Sequence, residues 1–213
     1  MTSHRWPHNR QLILLVWLLF CSTLQAQTSA CFSAAPLNSQ AITASGSTPL
    51  TLSEQQNLLK LLEKLNGSWD GKTAGFFCSS SKNKAERTED NYDLLADSKL
   101  EREKRAGNNA RFDLDATLES DNKYPLHETL QYTLHDGVLY SGSSKTNPVV
   151  VSDLRSNSVT LIEATRQRLK SGGSTPRIIE RHIHITNARR IEIQHRYYTQ
   201  GQLNSYSHWF MRR

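Results

Sequence analysis

From Gly67 almost to the end of the chain, apolar residues recur at every second position, a period that suits β-strands and not helices. Tyr92, Leu94, Ala96, Ser98 and Leu100 alternate with Asp93, Asp97 and Lys99. Phe112, Leu114, Ala116 and Leu118 alternate with Asp113, Asp115, Thr117 and Glu119. Leu126, Leu130, Tyr132 and Leu134 alternate with Thr129, Gln131 and Thr133. Successive side chains of a strand point to opposite faces, so each run offers one face to a core and one to water. Asp136-Gly137 is a two-residue hairpin signal, and Val138 to Tyr140 continues past it. Further strand-like runs cover about 148–153, 158–168, 177–186, 190–199 and 203–212, punctuated at Ser156-Asn157, Asn187-Ala188 and Gln200-Gly201. The Ser171-Gly172-Gly173-Ser174 stretch reads as a longer loop. Short connections between consecutive strands predict a sequential antiparallel sheet. About ten such strands curl and close, so the expected fold is mainly β, an antiparallel up-and-down β-barrel. No repeat of 20 to 50 residues marks a propeller or solenoid.

Ahead of the strands, Leu58, Leu59, Leu61, Leu62 and Leu65 form an apolar stripe with helical spacing over about 52–65. Ser53 and Gln56 have the form of a capping box at its start, and Asn66-Gly67 is a natural stop. This predicts one N-terminal amphipathic helix that covers a barrel mouth or a sheet face. Residues 27–51 are rich in Ser, Thr, Ala and Gln without a period and read as a flexible N-terminal arm, which leaves 52–213 as the folded domain.

Met1 to Arg10 carries Arg5 and Arg10 and no acid, and Leu12 to Cys21 is unbroken and apolar. Small and polar residues follow, Ala26 and Ala30 among them. The pattern predicts a secretory signal peptide over residues 1–26, cut between Ala26 and Gln27, and a periplasmic or secreted protein. The apolar run is shorter than the ~20 residues a span needs, so no membrane span is expected. A lipid anchor is disfavoured: Cys21 follows the bulky Phe20, and Cys31 lies well beyond the apolar run. Cleavage removes Cys21 and leaves Cys31 and Cys78. An even pair in an oxidising compartment predicts a disulfide that ties the arm to the end of the first strand. Two cysteines alone make a poor zinc site.

The net charge of +6 is unevenly spread: residues 155–213 hold 11 basic and 3 acidic groups, whereas residues 27–154 hold 13 and 17. A basic half can face nucleic acid or a membrane surface. Here the arginines sit at alternate strand positions, which reads as a solvated face, and the export signal argues further against a nucleic-acid partner.

Gly67-Ser68-Trp69 follows the helix and opens the first strand. This resembles the Gly-x-Trp start of the lipocalin-like (calycin) barrels. The wider stretch from Leu65 to Gly71 is similar to the opening of small bacterial lipocalin-like domains and of nitrobindin-like haem barrels. The resemblance implies that Gly67 permits a close turn, that Trp69 plugs one end of the core, and that an Arg of a late strand packs over it. Arg196, Arg212 and Arg213 are open choices for that role. The likeness is local to 65–71 and architectural over 52–213. No His matches a haem ligand by motif, and no cofactor is expected.

The late strands carry the polar groups of most interest. Ile179, Arg181, Ile183 and Ile185 share one face, and Ile191, Ile193, His195 and Tyr197 share one face of the next strand. If these faces point inward, Arg181 and His195 are polar groups inside a barrel, and a buried Arg needs an anion, either a carboxylate of the protein such as Glu128 or one from a ligand. Apolar walls would then hold the tail of an acidic amphiphile, and Arg181 with His195 or Tyr197 its head. With Trp69 these are the expected ligand-binding residues. The alternative leaves Arg181 at a barrel end with its guanidinium in water. Arg196 and Tyr198 look like the carboxylate-binding pair of fatty-acid-binding barrels, but Glu192 and Gln194 share their face and mark it as solvated. His182 and His184 stand two apart with no supporting Cys or carboxylate pattern, so no metal site is expected. A Gly-x-Ser-x-Gly elbow, a His-Glu-x-x-His motif, a phosphate loop and a dinucleotide fingerprint are all missing, and catalysis is not expected. The chain reads as an exported, non-catalytic binding protein for a small apolar or amphiphilic ligand. The other reading is a structural or interaction module of the cell envelope, with a protein partner and no small ligand.

Overall fold

The switch from helical to alternating periodicity at Gly67 is where the architecture changes. The computed structural model describes residues 31–32, 48–81, 84–103, 107–120, 123–168 and 172–213. The expected signal peptide (1–26) and most of the expected arm (27–51) lie outside them. Helix α1 spans Leu52–Glu63. Its N-cap is Thr51 and not Ser53. Thr51 is extended (φ −62°, ψ 159°), its hydroxyl accepts from the Glu54 N–H at 3.3 Å, and the Glu54 carboxylate accepts from the Thr51 N–H at 2.8 Å. Ser53 already lies inside the first turn, so it cannot cap. The Thr51 hydroxyl and N–H hold the Glu54 carboxyl below its usual range. α1 ends two residues before the stripe does, but Leu65 stays buried because its N–H turns back to the Leu62 carbonyl at 3.0 Å.

Ten strands follow: β1 (Gly67–Ser81), β2 (Lys84–Arg102), β3 (Ala110–Ser120), β4 (Lys123–His135), β5 (Val138–Ser141), β6 (Val149–Ser152), β7 (Ser158–Arg168), β8 (Ser174–Asn187), β9 (Arg190–Thr199) and β10 (Gln202–Arg212). Their order in the sheet is β5-β4-β3-β2-β1-β10-β9-β8-β7-β6. Apart from β5 and β6, strands that are neighbours in sequence pair antiparallel, and β1 pairs with β10, which turns the meander into a ring. The seam lies between β5 and β6, bridged by Tyr140 opposite Pro148 and by the Ser141 N–H to the Asn147 carbonyl at 2.8 Å. The fold is a mainly β, nearly closed ten-stranded antiparallel barrel, as the alternation predicts. The helix precedes the strands but begins at Leu52, well inside the chain. Asp136 and Gly137, with φ of 49° and 82°, make the type I′ turn that joins β4 to β5.

α1 closes one end of the barrel. Leu58, Leu59, Leu61, Leu62 and Leu65 are buried with Trp69, Phe112, Leu134, Ile191 and Met211 in one core. Lys64 donates to the Ser156 carbonyl at 2.8 Å and Arg102 to Glu63 at 2.8 Å, which pins the helix across this end. The Trp69 indole N–H donates to the Leu65 carbonyl at 2.7 Å. Of the three arginines left open, Arg213 takes the place over Trp69, 4.4 Å from the ring, and also donates to the Asn66 carbonyl at 2.6 Å. Gly67 has φ +119°, and a Cβ there would stand 3.0 Å from the Arg213 guanidinium, so a side chain would meet strain and a neighbour at once. A Cβ at Gly71 would lie 1.9 Å from the Phe210 carbonyl oxygen, a measure of how closely β1 and β10 run.

A second, smaller cluster lies on the outer face. Phe76, Tyr198 and Leu203 are buried there under a disulfide between Cys31 and Cys78, and the Phe32 N–H donates to the Leu203 carbonyl at 2.8 Å. Arg87 lies 3.9 Å over the Phe76 ring. Cys78 stands near the end of β1, where the sequence places it. Among the described residues no helix is long and apolar enough to cross a membrane.

Candidate functional site

The end of the barrel opposite α1 is not filled. On β1 and β10 the inward side chains there are small: Thr73, Gly75, Ser205 and Ser207. They leave a mouth cavity of about 390 Å³. Tyr92, Leu118 and Ile179 form apolar wall, and Phe77 and Leu126, each 45% exposed, stand at the rim. Glu128, Arg177, Arg181 and Tyr197 bring polar groups to the same space. A larger groove of about 850 Å³ runs over the outer face of β2, β1 and β10, lined by Asp70, Lys72, Asp93, Leu95, Phe210 and Arg212. It shares none of the inward-facing polar groups.

The inward face of β8 does carry Arg181 into the barrel, at 8% exposure. Its counter-charge is Glu163, not Glu128. The Arg181 Nη1 pairs with the Glu163 carboxylate and donates to the Tyr132 hydroxyl at 3.2 Å. The Tyr132 hydroxyl in turn donates to Glu163 at 2.7 Å, and the Ser141 hydroxyl donates to its other oxygen at 2.8 Å. The reason is register. Leu161 of β7 stands opposite Arg181 and Glu163 opposite Ile179, so Glu163 is one step away on the adjacent strand, whereas Glu128 sits across the mouth on β4. Glu163 was legible as a signal: it interrupts the apolar face of Val159 and Leu161. Burial opposes the charge of Arg181, but Tyr132 and Glu163 outweigh it and the guanidinium is held more firmly protonated than usual. Burial pushes the Tyr132 phenol well above its ordinary value, so Tyr132 serves as a neutral donor and the carboxylate alone balances the charge.

Arg177 and Glu128 are differently placed. Arg177 lies 4.4 Å over the Tyr197 ring, and among the described residues it makes no hydrogen bond or ion pair. Its Nε is buried without a partner. Burial pulls its pKa down, and its ordinary value is high enough that it stays charged. Burial pushes the Glu128 carboxyl up, an effect that Arg181 and Arg177 only partly offset. Burial, with the Glu128 charge adding, takes the Tyr197 phenol up to about 12.

His195 lies one layer below the cavity, with no exposed surface, its ring 4.5 Å from Trp209 and 6.2 Å from Tyr197. Neither ring nitrogen has a hydrogen-bond partner among the described residues. Burial, with Arg181 nearby, drives its pKa well below the ordinary value, so the imidazole is neutral. Of the four residues expected to bind ligand, Arg181 and Tyr197 therefore line the cavity, His195 lies beneath it, and Trp69 sits at the closed end. Arg177, which was not among the four, also lines the cavity, and its inward place two residues before Ile179 was its only signal in the sequence.

An unpaired buried imidazole costs free energy, so His195→Leu is expected to stabilise the protein by about 1–3 kcal/mol at neutral pH. Because the folded-state pKa is depressed, the wild type also loses stability as pH falls through the unfolded value near 6.5, and the variant escapes that loss. Urea unfolding at about pH 7 and pH 5 measures both effects. Destabilisation by His195→Leu would refute this account of the residue.

The outer face around Arg196 and Tyr198 is not the solvated surface that Glu192 and Gln194 suggested, because the Cys31–Cys78 disulfide and its cluster cover Tyr198 there. Arg196 pairs with Glu180 at 3.6 Å, and the Tyr198 hydroxyl donates to Glu180 at 3.1 Å, so this Arg-x-Tyr pair is tied to a protein carboxylate outside the barrel. His182 and His184 stack 6.4 Å apart, and His182 shares a 3.1 Å hydrogen bond with Thr160. Among the described residues no group of three or more His, Cys, Asp or Glu side chains could hold a metal ion.

No protein-family model matches the chain. No curated protein matches it. Among solved structures it is similar to the S-type phycobiliprotein lyase CPES from Guillardia theta, at 11% identity, over 76% of this chain and 95% of that one, with a TM-score of 0.45.

Proposed function

We propose that the protein is exported and that its barrel mouth binds a small amphiphilic molecule without transforming it. The observation that carries this reading is the cavity of about 390 Å³, mixed in polarity, at the one end of the barrel that side chains leave open. Its size falls within the range of small-molecule sites. At about 30 Å³ per water-sized group it holds about 13 non-hydrogen atoms, which suits a short amphiphile better than a long-chain lipid. Non-catalytic binding is supported by the state of His195, whose ring nitrogens have no polar partner to activate among the described residues. The Cys31–Cys78 disulfide supports an oxidising compartment.

Native mass spectrometry on the protein, made by export in a bacterial host, tests this reading. A discrete small added mass is expected, lost on denaturation and absent in Ser205→Trp, which fills the mouth. A bare wild-type chain, or an adduct that survives Ser205→Trp, counts against it. One observation favours an envelope interaction module instead: Leu95 and Phe210 are 57% and 43% exposed beside the outer groove. A protein partner held there would be lost in Leu95→Asp and kept in Ser205→Trp.

A further inference from the structure

Two inward-facing charges in the mouth lack a partner of opposite sign at contact distance among the described residues, and they decide what a ligand must bring. The other pair, Arg181 and Glu163, is already closed on itself with Tyr132 and Ser141. Arg177 comes from β8, and Glu128 faces the same cavity from β4. Among the described residues neither makes a hydrogen bond or an ion pair. The guanidinium of Arg177 spends its face on Tyr197, and among the described residues its edge meets no acceptor. That edge is a planar fork of N–H donors whose Nε is already dry and unpartnered, which is the geometry a carboxylate completes with two parallel hydrogen bonds.

We infer that the ligand head is a carboxylate held between the Arg177 guanidinium and a protonated Glu128, so that binding takes up a proton. This rests on the reading of the mouth as the binding site. As an anion, Glu128 neutralises Arg177 and repels an incoming carboxylate. As a neutral acid, it removes that repulsion and supplies an O–H donor. No bond other than O–H is made: the proton comes from solution and returns there on release. The groups that face Glu128 agree with this. β8 presents Arg177 and Arg181, and β9 the neutral phenol of Tyr197, while Glu163 of β7 lies behind Arg181 and is matched by it. β2 presents Asp90 and Tyr92, joined by a 3.0 Å hydrogen bond from the Tyr92 hydroxyl. The desolvation that raises the Glu128 carboxyl brings its protonation closer to neutral pH. A cationic head would meet the donor fork of Arg177, which has nothing to offer it, and an uncharged head would not supply the charged two-oxygen acceptor that the fork suits. Phe77 and Leu126 at the rim remain for the apolar tail.

The test is isothermal titration calorimetry of the full mature chain with octanoate, 1-octanol and octylammonium as probes. It is run at about pH 6 and pH 8, where octanoate stays ionised, and in two buffers of different ionisation enthalpy. Octanoate is expected to bind at least tenfold more tightly than 1-octanol, more tightly at pH 6 than at pH 8, and with proton uptake. Arg177→Gln should weaken octanoate by tenfold or more and leave 1-octanol unchanged, which also shows that the variant is folded. Glu128→Gln should abolish proton uptake, remove the pH dependence and bind octanoate at pH 8 more tightly than the wild type does at pH 8. If 1-octanol or octylammonium binds as well as octanoate, or Arg177→Gln changes nothing, the carboxylate assignment falls and the mouth remains a binding site. If none of the three binds the wild type, both fall.

Discussion

Glu163→Leu is expected to destabilise the barrel by about 3–5 kcal/mol, because it leaves the Arg181 guanidinium buried without its counter-charge. The loss should be concentrated in the charge and not in the missing side-chain volume. Tyr132 and Ser141 lose an acceptor at the same time, since both donate to Glu163. The double variant Glu163→Leu/Arg181→Met removes both charges and should recover most of the stability, since apolar replacements of similar volume commonly match or exceed a buried ion pair. Urea unfolding of the wild type, the two single variants and the double variant gives the coupling energy. A single-variant cost below about 1 kcal/mol would mean that Arg181 swings into the mouth and finds water, and the account of a closed internal pair would be wrong.

Reduction of the Cys31–Cys78 disulfide is expected to cost about 4 kcal/mol, the chain-entropy value for a loop closed over 47 residues. The bond also holds Cys31 and Phe32 over Phe76, Tyr198 and Leu203, apolar side chains on the outer face that would otherwise meet water. Cys78→Ala should therefore unfold at lower urea than the oxidised wild type, and a reducing agent should move the wild type most of the way to the variant without moving the variant itself. Equal midpoints with and without reductant would show that the arm holds its place through packing and the Phe32–Leu203 hydrogen bond alone.

The strands were legible because alternation is a property of the covalent chain: Phe112, Leu114, Ala116 and Leu118 carry it wherever they are folded, and all four are buried. The turn at Asp136-Gly137 was legible for the same reason, since its chemistry is confined to two residues. The helix cap was less so. Thr51-x-x-Glu54 and Ser53-x-x-Gln56 both have the form of a capping box, and the choice falls to Thr51 because the Leu50 N–H is fixed on the Gly137 carbonyl at 2.8 Å, which sets where the chain enters the helix. Arg213 was one of three candidates to cover Trp69, and only the antiparallel run of β10 back along β1 brings it there.

The sequence by itself determined which residues form strands, which face of each strand is apolar, the amphipathic helix before them, and that Cys31 and Cys78 suit a disulfide, since each of these follows from local spacing or from a count. The tertiary structure alone decided that Arg181 meets Glu163 and not Glu128, that Arg177 and Glu128 line the same mouth, and that Thr73, Gly75, Ser205 and Ser207 leave a cavity there. The physical reason is that charge pairing and empty volume depend on which strands are neighbours and on their stagger, and here both are set when β1 closes on β10 from opposite ends of the chain.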